Sequence, residues 1–454
     1  MKTSTHNDPD YPGRLSMIKP LLALMGTILL ANTAVGGTAY TATPDTYVAL
    51  LRELAPGDRL TLSPGIYERG LPIHNLNGTA QAPIVVTGPG DALPAIFLAH
   101  AGRNTVSIVN SSHVTVQNLT LDGAGLPVDG VKCEGHAQWA HHITLANLDI
   151  RGHGNNQQTV GISTKCPAWG WVIRANRIAG AGTGIYLGNS DGNAPFVGGL
   201  IEHNVILDTI GYNLQIKHQN PRPELQGMPQ ERSVTIIRDN VFSKEQGASN
   251  GPMARPNVLV GHFPLVGPGA NDIYLVQGNF FYQNPGESLF QGEGNIALYN
   301  NLFVNHAGDA IRIQPHNDTT RTISVFYNTV VASKNGIVLL RREGDPEYSQ
   351  FVAGNAAFGG PPLSIPVGAS SANVAKHYEM AGRYLNAPFE PLEKLDLYPR
   401  PGRLKKIQME TRSLHGYEGW DRDFNGNSRK DSFAGAYAGE GRNPGWPLSR
   451  DRKP

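Results

Sequence analysis

Short stretches of alternating apolar and polar residues recur along this chain, and each one runs into an asparagine followed by a second apolar pair. His113–Leu121 reads His-Val-Thr-Val-Gln-Asn-Leu-Thr-Leu, and His142–Ile150 reads His-Ile-Thr-Leu-Ala-Asn-Leu-Asp-Ile. The asparagines fall at Asn118, Asn147, Asn176, Asn204, Asn240, Asn279, Asn301, Asn328 and Asn355, at intervals of 22 to 39 residues. Alternation with a period of two predicts strands with one buried face. No helix-length pattern separates them, so a βαβ fold is excluded. Strands at this spacing cannot each bury a face alone, but stacked coils share one continuous core. The pattern predicts an all-β chain, a right-handed parallel β-helix solenoid. Each Asn is expected to take the left-handed backbone of a sharp turn and to bond to its counterpart one coil away.

Other segments complete the solenoid. Thr43-Pro44-Asp45 can start a helix over Tyr47–Leu54 that covers the open first coil. The longest intervals, between Asn204 and Asn279, mark inserted loops at 220–230 and 249–257. The repeat fades past Gly360 into a Pro-rich, charged, irregular segment. The organisation read from the chain is a signal region at 1–36, a β-helix at 37–360 and an irregular segment at 361–454 that packs on the solenoid.

After each Asn-strand comes a second short strand, aligned by its apolar positions: Val131-Lys-Cys-Glu134, Ile162-Ser-Thr-Lys165, Ile185-Tyr-Leu-Gly188, Leu214-Gln-Ile-Lys217, Val258-Leu-Val-Gly261, Leu289-Phe-Gln-Gly292 and Ile311-Arg-Ile-Gln314. First and third positions should point inward, second and fourth outward. The outward set then includes Lys132, Glu134, Lys165, Tyr186, Gln215, Lys217, Phe290, Arg312 and Gln314. Coils lie about 4.8 Å apart, which puts Lys217 and Arg312 about 14 Å apart, the span of a groove that engages several sugars. Parity points His218 and His262 inward unless their strands have already ended.

Composition narrows the class without naming it. Lys plus Arg is 38 and Asp plus Glu is 37 among 454 residues, so no global bias points to nucleic acid or a membrane surface. A basic groove on a neutral protein remains open to an anionic polymer. No Gly-rich phosphate loop occurs in a strand–helix context, so no nucleotide site is expected. Lys19, the apolar run Leu21–Ala31 and the small residues Asn32–Gly37 follow the plan of a secretory signal, with Met17 an alternative start. That run is too short to span a bilayer, and a secreted or periplasmic monomer is expected. Cys133 and Cys166 are the two cysteines. Export permits a disulfide between them, two free thiols being the alternative, and a Cys-rich metal site is excluded by the count.

Ala55–Tyr67 (Ala-Pro-Gly-Asp-Arg-Leu-Thr-Leu-Ser-Pro-Gly-Ile-Tyr) and Asn77–Gly88 (Asn-Gly-Thr-Ala-Gln-Ala-Pro-Ile-Val-Val-Thr-Gly) resemble the first coil of bacterial pectate-lyase-like β-helix proteins. They are especially similar to the chondroitinase B and alginate lyase family. Asp423–Arg429 and Gly435-Ala-Tyr437 resemble the closing motif of secreted β-helix proteins. The resemblance implies a strand with acidic calcium ligands that ends in a catalytic Lys, followed by a coil that supplies an Arg. Lys217 matches the Lys. Apolar or uncharged residues around Ile210 and Tyr212 stand where the acids belong, and Asn257–His262 contains no Arg. Ca2+ is therefore the cofactor the family would bring, without its ligands in evidence, and no other cofactor is expected.

The outward surface suits β-elimination on a uronate polymer. That reaction needs a group to neutralise the carboxylate, a base for the adjacent carbon's proton and an acid for the leaving oxygen. Lys217 is the candidate base or neutraliser, and Arg312 would fork onto a substrate carboxylate. His316 and His262 are candidate acids or bases. Lys165, Tyr186, Gln215, His218 and Phe290 are candidate substrate contacts. Arg312 has a plain rival role, pairing with Asp309 or Asp318, and Glu293 reads first as a turn residue. The expected function is a lyase acting on an anionic polysaccharide. An epimerase, an inverting glycoside hydrolase and a non-catalytic carbohydrate-binding solenoid are the competing readings.

Overall fold

The computed structural model describes residues 36–90, 93–405, 407–430 and 432–454. The signal region expected at 1–36 therefore lies outside the described residues, save Gly36. Three parallel sheets run the length of the solenoid, and the chain visits them in the same order in every coil. The first sheet extends from Ala39–Ala42 to Ser370–Ser371, the second from Gly65–Tyr67 to Val374–Lys376, and the third from Leu71–His74 to Leu363–Ser364. This is a right-handed parallel β-helix. Its coils continue past Gly360 to Lys376.

Register explains the core. In the first sheet Leu60, Val86, Val116, Leu145, Ile173 and Ile201 face one another across successive pairings, all fully buried. Burying each such side chain stabilises the coil stack by about 1.5–3 kcal/mol. The second sheet contributes aromatics to the same core, with Phe281 and Phe303 stacked at 4.4 Å between ring centres.

The asparagine ladder exists, with a register the sequence spacing misplaces. From Asn176 to Asn355, each ladder Nδ2 donates to the Oδ1 of its neighbour one coil on, at 2.9–3.0 Å, and the row ends at Asn373. The same Oδ1 accepts the neighbour's backbone N–H. These asparagines are not the left-handed residues. That position belongs to the preceding residue, among them Ala175, His203, Asp239 and Tyr327. Asn118 and Asn147 do sit there, with φ of 58° and 52°, and Leu119 and Leu148 follow them at the ladder position. The Leu148 N–H donates to Asn176 Oδ1, which fixes the offset at one residue. Alignment by asparagine alone therefore merged two adjacent positions with different tasks.

At the first coil the predicted capping helix is shorter than expected, Tyr47–Leu51. Tyr47 packs edge-on against Tyr67, and its hydroxyl donates to the Gly70 carbonyl. The segment after Lys376 lies along the solenoid. Leu385, Leu397, Tyr398, Phe424, Phe433 and Tyr437 cover the outer face of the second sheet. Leu414, Tyr417 and Trp420 cover outward residues of the first, including Tyr299 and Phe326. Neither of these two clusters includes an outward residue of the third sheet. Among the described residues, no helix is long and apolar enough to cross a membrane.

Candidate functional site

On the outer face of the third sheet one row reads Lys132, Ser163, Tyr186, Gln215, Leu259, Gln291 and Arg312 from coil to coil. Phe290 is not in it. Val258 pairs with Phe290, not with Leu289, so Phe290 is fully buried and Gln291 faces outward. Phe290 is therefore a core residue and not a sugar platform. Two adjacent apolar residues, Leu289 and Phe290, let the strand be read one position early, and a one-residue slip exchanges the faces.

Two adjoining cavities occupy this face. One, of about 470 Å³, is lined by Lys132, Lys165, Tyr186, Gln215 and Lys217, among others. The second, of about 360 Å³, is lined by Leu259, Glu287, Gln291, Glu293, Gln314 and His316 among its residues. Tyr212 and Arg255 line both. Arg255 comes from the inserted loop at 249–257. Its Nη1 donates to the Pro252 and Ala254 carbonyls at 3.0 and 2.7 Å. Its own carbonyl accepts from buried Lys244 Nζ at 2.7 Å and Asn284 Nδ2 at 2.9 Å. Across the groove Gln157 Nε2 donates to the Met253 carbonyl at 2.9 Å, so two loops close into one wall. The other insertion turns away. Its Leu225 and Met228 pack against Trp169, and its Arg222 forms a buried ion pair with Asp272.

The first cavity is basic. Its lining cations are Lys132, Lys165, Lys217 and Arg255, against the single lining carboxylate Asp129. That carboxylate is already engaged by the Val160 N–H, the Ser163 hydroxyl and Lys132. Burial, together with repulsion from Lys132 and Lys217, brings Lys165 down to about 8 despite the attraction of Asp129. Its Nζ lies 3.4 Å from the centre of the Tyr186 ring, whose π face favours the ammonium and opposes that shift. Burial lowers Lys217 as well, with Glu293 pulling the other way. Burial raises Tyr186 and Tyr212, and the Tyr186 hydroxyl shares a 2.9 Å hydrogen bond with Ser190.

The structure thus brings Lys165, Tyr186, Gln215 and Lys217 into one cavity and His316 into its neighbour. Arg312 lies outside both. Asp309 takes its guanidinium at 2.8 Å and Gln314 at 3.2 Å, which is the plain pairing role. His316 is held by its backbone, because Glu293 accepts the N–H groups of His316, Asn317 and Asp318 at 2.8, 3.0 and 3.2 Å. Glu293 is an anchor for this loop. The strands before His218 and His262 end at Ile216 and Val260, so parity no longer governs those rings. They stack at 5.2 Å, with His262 Nδ1 3.4 Å from Asp318, and neither lines either of these two cavities. Arg255 escaped the sequence reading because its place depends on a loop path. A basic residue within a flagged insertion was the available signal. A hard cation such as Ca2+ needs six to eight oxygen ligands. In the basic cavity one lining carboxylate, already spent on protein donors and set among four cations, does not supply them.

No protein-family model matches this sequence, and no curated protein matches it. Among solved structures, a GH136 lacto-N-biosidase from Eubacterium ramulus is similar with a TM-score of 0.48 and 11% identity, over 73% of this chain and 65% of that one. A PL6 family alginate lyase gives 0.42 and 12%, over 74% of this chain and 51% of that one. The A-module of the Azotobacter vinelandii mannuronan C-5 epimerase gives 0.40 and 14%, over 75% and 97%. The chain thus spans just under two thirds of the biosidase and about half of the lyase. The assignment of the fold rests on the three parallel sheets themselves.

Proposed function

We propose that the groove on the third sheet binds a uronate-containing polysaccharide and cleaves it by β-elimination. The observation that carries this reading is the basic cavity. Four cations converge on an open sheet face whose one carboxylate is neutralised, and one of the lysines sits near 8. An anionic polymer is the ligand such a surface selects. Lys217 and Arg255 neutralise the uronate carboxylate, which acidifies the C5–H. Deprotonated Lys165 removes that proton. The electron pair forms the C4–C5 double bond as the C4–O bond breaks, and the leaving oxygen takes a proton from Tyr212. Tyr186 and Gln215 hold neighbouring sugars. The disulfide that joins Cys133 and Cys166 suits an oxidising compartment.

A hydrolase would use Glu287 and Glu293, which line the second cavity. Glu293 is already committed to three backbone donors of its own loop, and inverting hydrolysis needs two carboxyl groups free to act together. The test is a panel of alginate, pectate, chondroitin sulfate, dermatan sulfate and heparin, followed by ultraviolet absorbance of unsaturated uronates, with and without chelator. A rise on one polymer that disappears in Lys165→Ala and Lys217→Ala is the expected result. A flat trace with intact glycan binding would reject the lyase reading and leave a binding solenoid or an epimerase.

A further inference from the structure

Away from the groove, at the start of two neighbouring strands of the first sheet, three histidines converge. His113 and His142 occupy equivalent positions on successive coils, between the pairs Ser112–His141 and Val114–Ile143. Successive strand residues normally point to opposite faces. Here His142 has a φ of 52°, which breaks the alternation and brings its ring beside that of His141, 5.1 Å between centres. His113, with a φ of 53°, breaks the alternation one coil earlier, and its ring centre lies 5.6 Å from that of His141. The next two coils fill this left-handed position with Gly170 and Gly198. A side chain at Gly170 would strike the His142 ring, so the third coil leaves that ring its space.

We propose that His113, His141 and His142 form a binding site for a borderline divalent transition-metal ion of the Zn2+ class, with one coordination position open to solvent. One ring nitrogen from each lies within 4.8 Å of the other two. A tetrahedral Zn2+ with bonds of 2.0–2.1 Å spaces its ligand nitrogens about 3.3–3.4 Å apart, so contraction by a modest ring rotation suffices. The ring nitrogens make no hydrogen bond to any described side chain or backbone group except one another, through His141 Nδ1 and His142 Nδ1 at 2.8 Å. The rings of His113 and His142 stack in parallel at 4.4 Å, so one must swing for both lone pairs to meet an ion, and the exposure of His142 allows it. His141 is fixed against Trp169 at 4.4 Å and serves as the rigid ligand. Imidazole ligands favour Zn2+, Cu2+ and Ni2+ over Ca2+ or Mg2+. Three protein ligands leave a fourth position for water.

The test uses the full, untagged chain, stripped with chelator and titrated with Co2+ and Zn2+. The d–d absorption of Co2+ and calorimetry are the readouts. The expected result is one equivalent bound, with affinity reduced at least about 100-fold in His142→Ala and in His113→Ala, the upper end of what loss of a supporting partner alone costs. Both rings are partly exposed, and circular dichroism confirms folding of each variant. His377→Ala, on the exposed His377–Glu379 pair, should leave binding unchanged. Absence of a saturable single equivalent, or binding that survives both His113→Ala and His142→Ala, overturns the proposal.

Discussion

Replacing Asn279 with Ala should cost far more than its small volume suggests. The Asn279 Oδ1 accepts both the backbone N–H and the Nδ2 of Asn240, each at 2.9 Å. Its Nδ2 donates to the Ile237 carbonyl and to Asn301 Oδ1, both at 2.9 Å, and contacts the Gln277 carbonyl at 3.0 Å. Two donor hydrogens and one oxygen therefore sustain about four effective hydrogen bonds in a fully buried row. At about 1 kcal/mol net each, with the Asn240 N–H left buried and unpaired, Asn279→Ala should lose about 3–5 kcal/mol. Long solenoids need not unfold in two states, so native-state hydrogen exchange is the sharper assay. The Asn240 amide should exchange roughly 100- to 5,000-fold faster. Asn147→Gly, at an exposed left-handed position that glycine accepts, should change stability by less than about 0.5 kcal/mol. Less than a tenfold change at Asn240, or equal effects in the two variants, would refute the claim that the ladder stabilises the stack.

Three further outcomes follow from the geometry. Phe290→Ala should lower stability by about 3–5 kcal/mol through a core cavity, measured by urea unfolding, whereas Tyr186→Ala should mainly weaken glycan binding. A Phe290→Ala loss confined to binding would contradict its burial. Burial lowers Lys165 from 10.5 to about 8, so the folded state disfavours its charged form. Turnover should therefore rise as pH climbs through about 8, and the stability penalty of the buried ammonium should be relieved between about 8 and 10.5. An identical pH profile in Lys165→Arg would remove this lysine from the base role. Breaking the Cys133–Cys166 link, which closes a separation of 33 residues, should cost about 3–4 kcal/mol by loop entropy. The comparison is thermal unfolding of the double Cys→Ser variant, and an unchanged midpoint would count against it.

Much of the architecture was legible in the sequence because a stacked solenoid repeats a local rule. Alternation with a period of two sets which side chains enter the core, and the recurring Asn marks where coils stack, since both depend on near neighbours in the chain. Lys165, Tyr186, Gln215 and Lys217 could be placed on one face by parity alone. Where two adjacent residues were chemically interchangeable, parity failed, as it did at Leu289 and Phe290 and at the offset between Asn147 and Asn176. Only pairing across coils resolves such a register, because the hydrogen bonds that decide it join residues 22 to 39 positions apart. The loop that carries Arg255 into the groove, the Asp309 carboxylate that occupies Arg312 and the left-handed turns that gather His113, His141 and His142 are likewise products of packing. The tertiary structure also decided which face is free to be the candidate site: the C-terminal segment buries outer apolar residues of two sheets, and the basic cavity lies on the third.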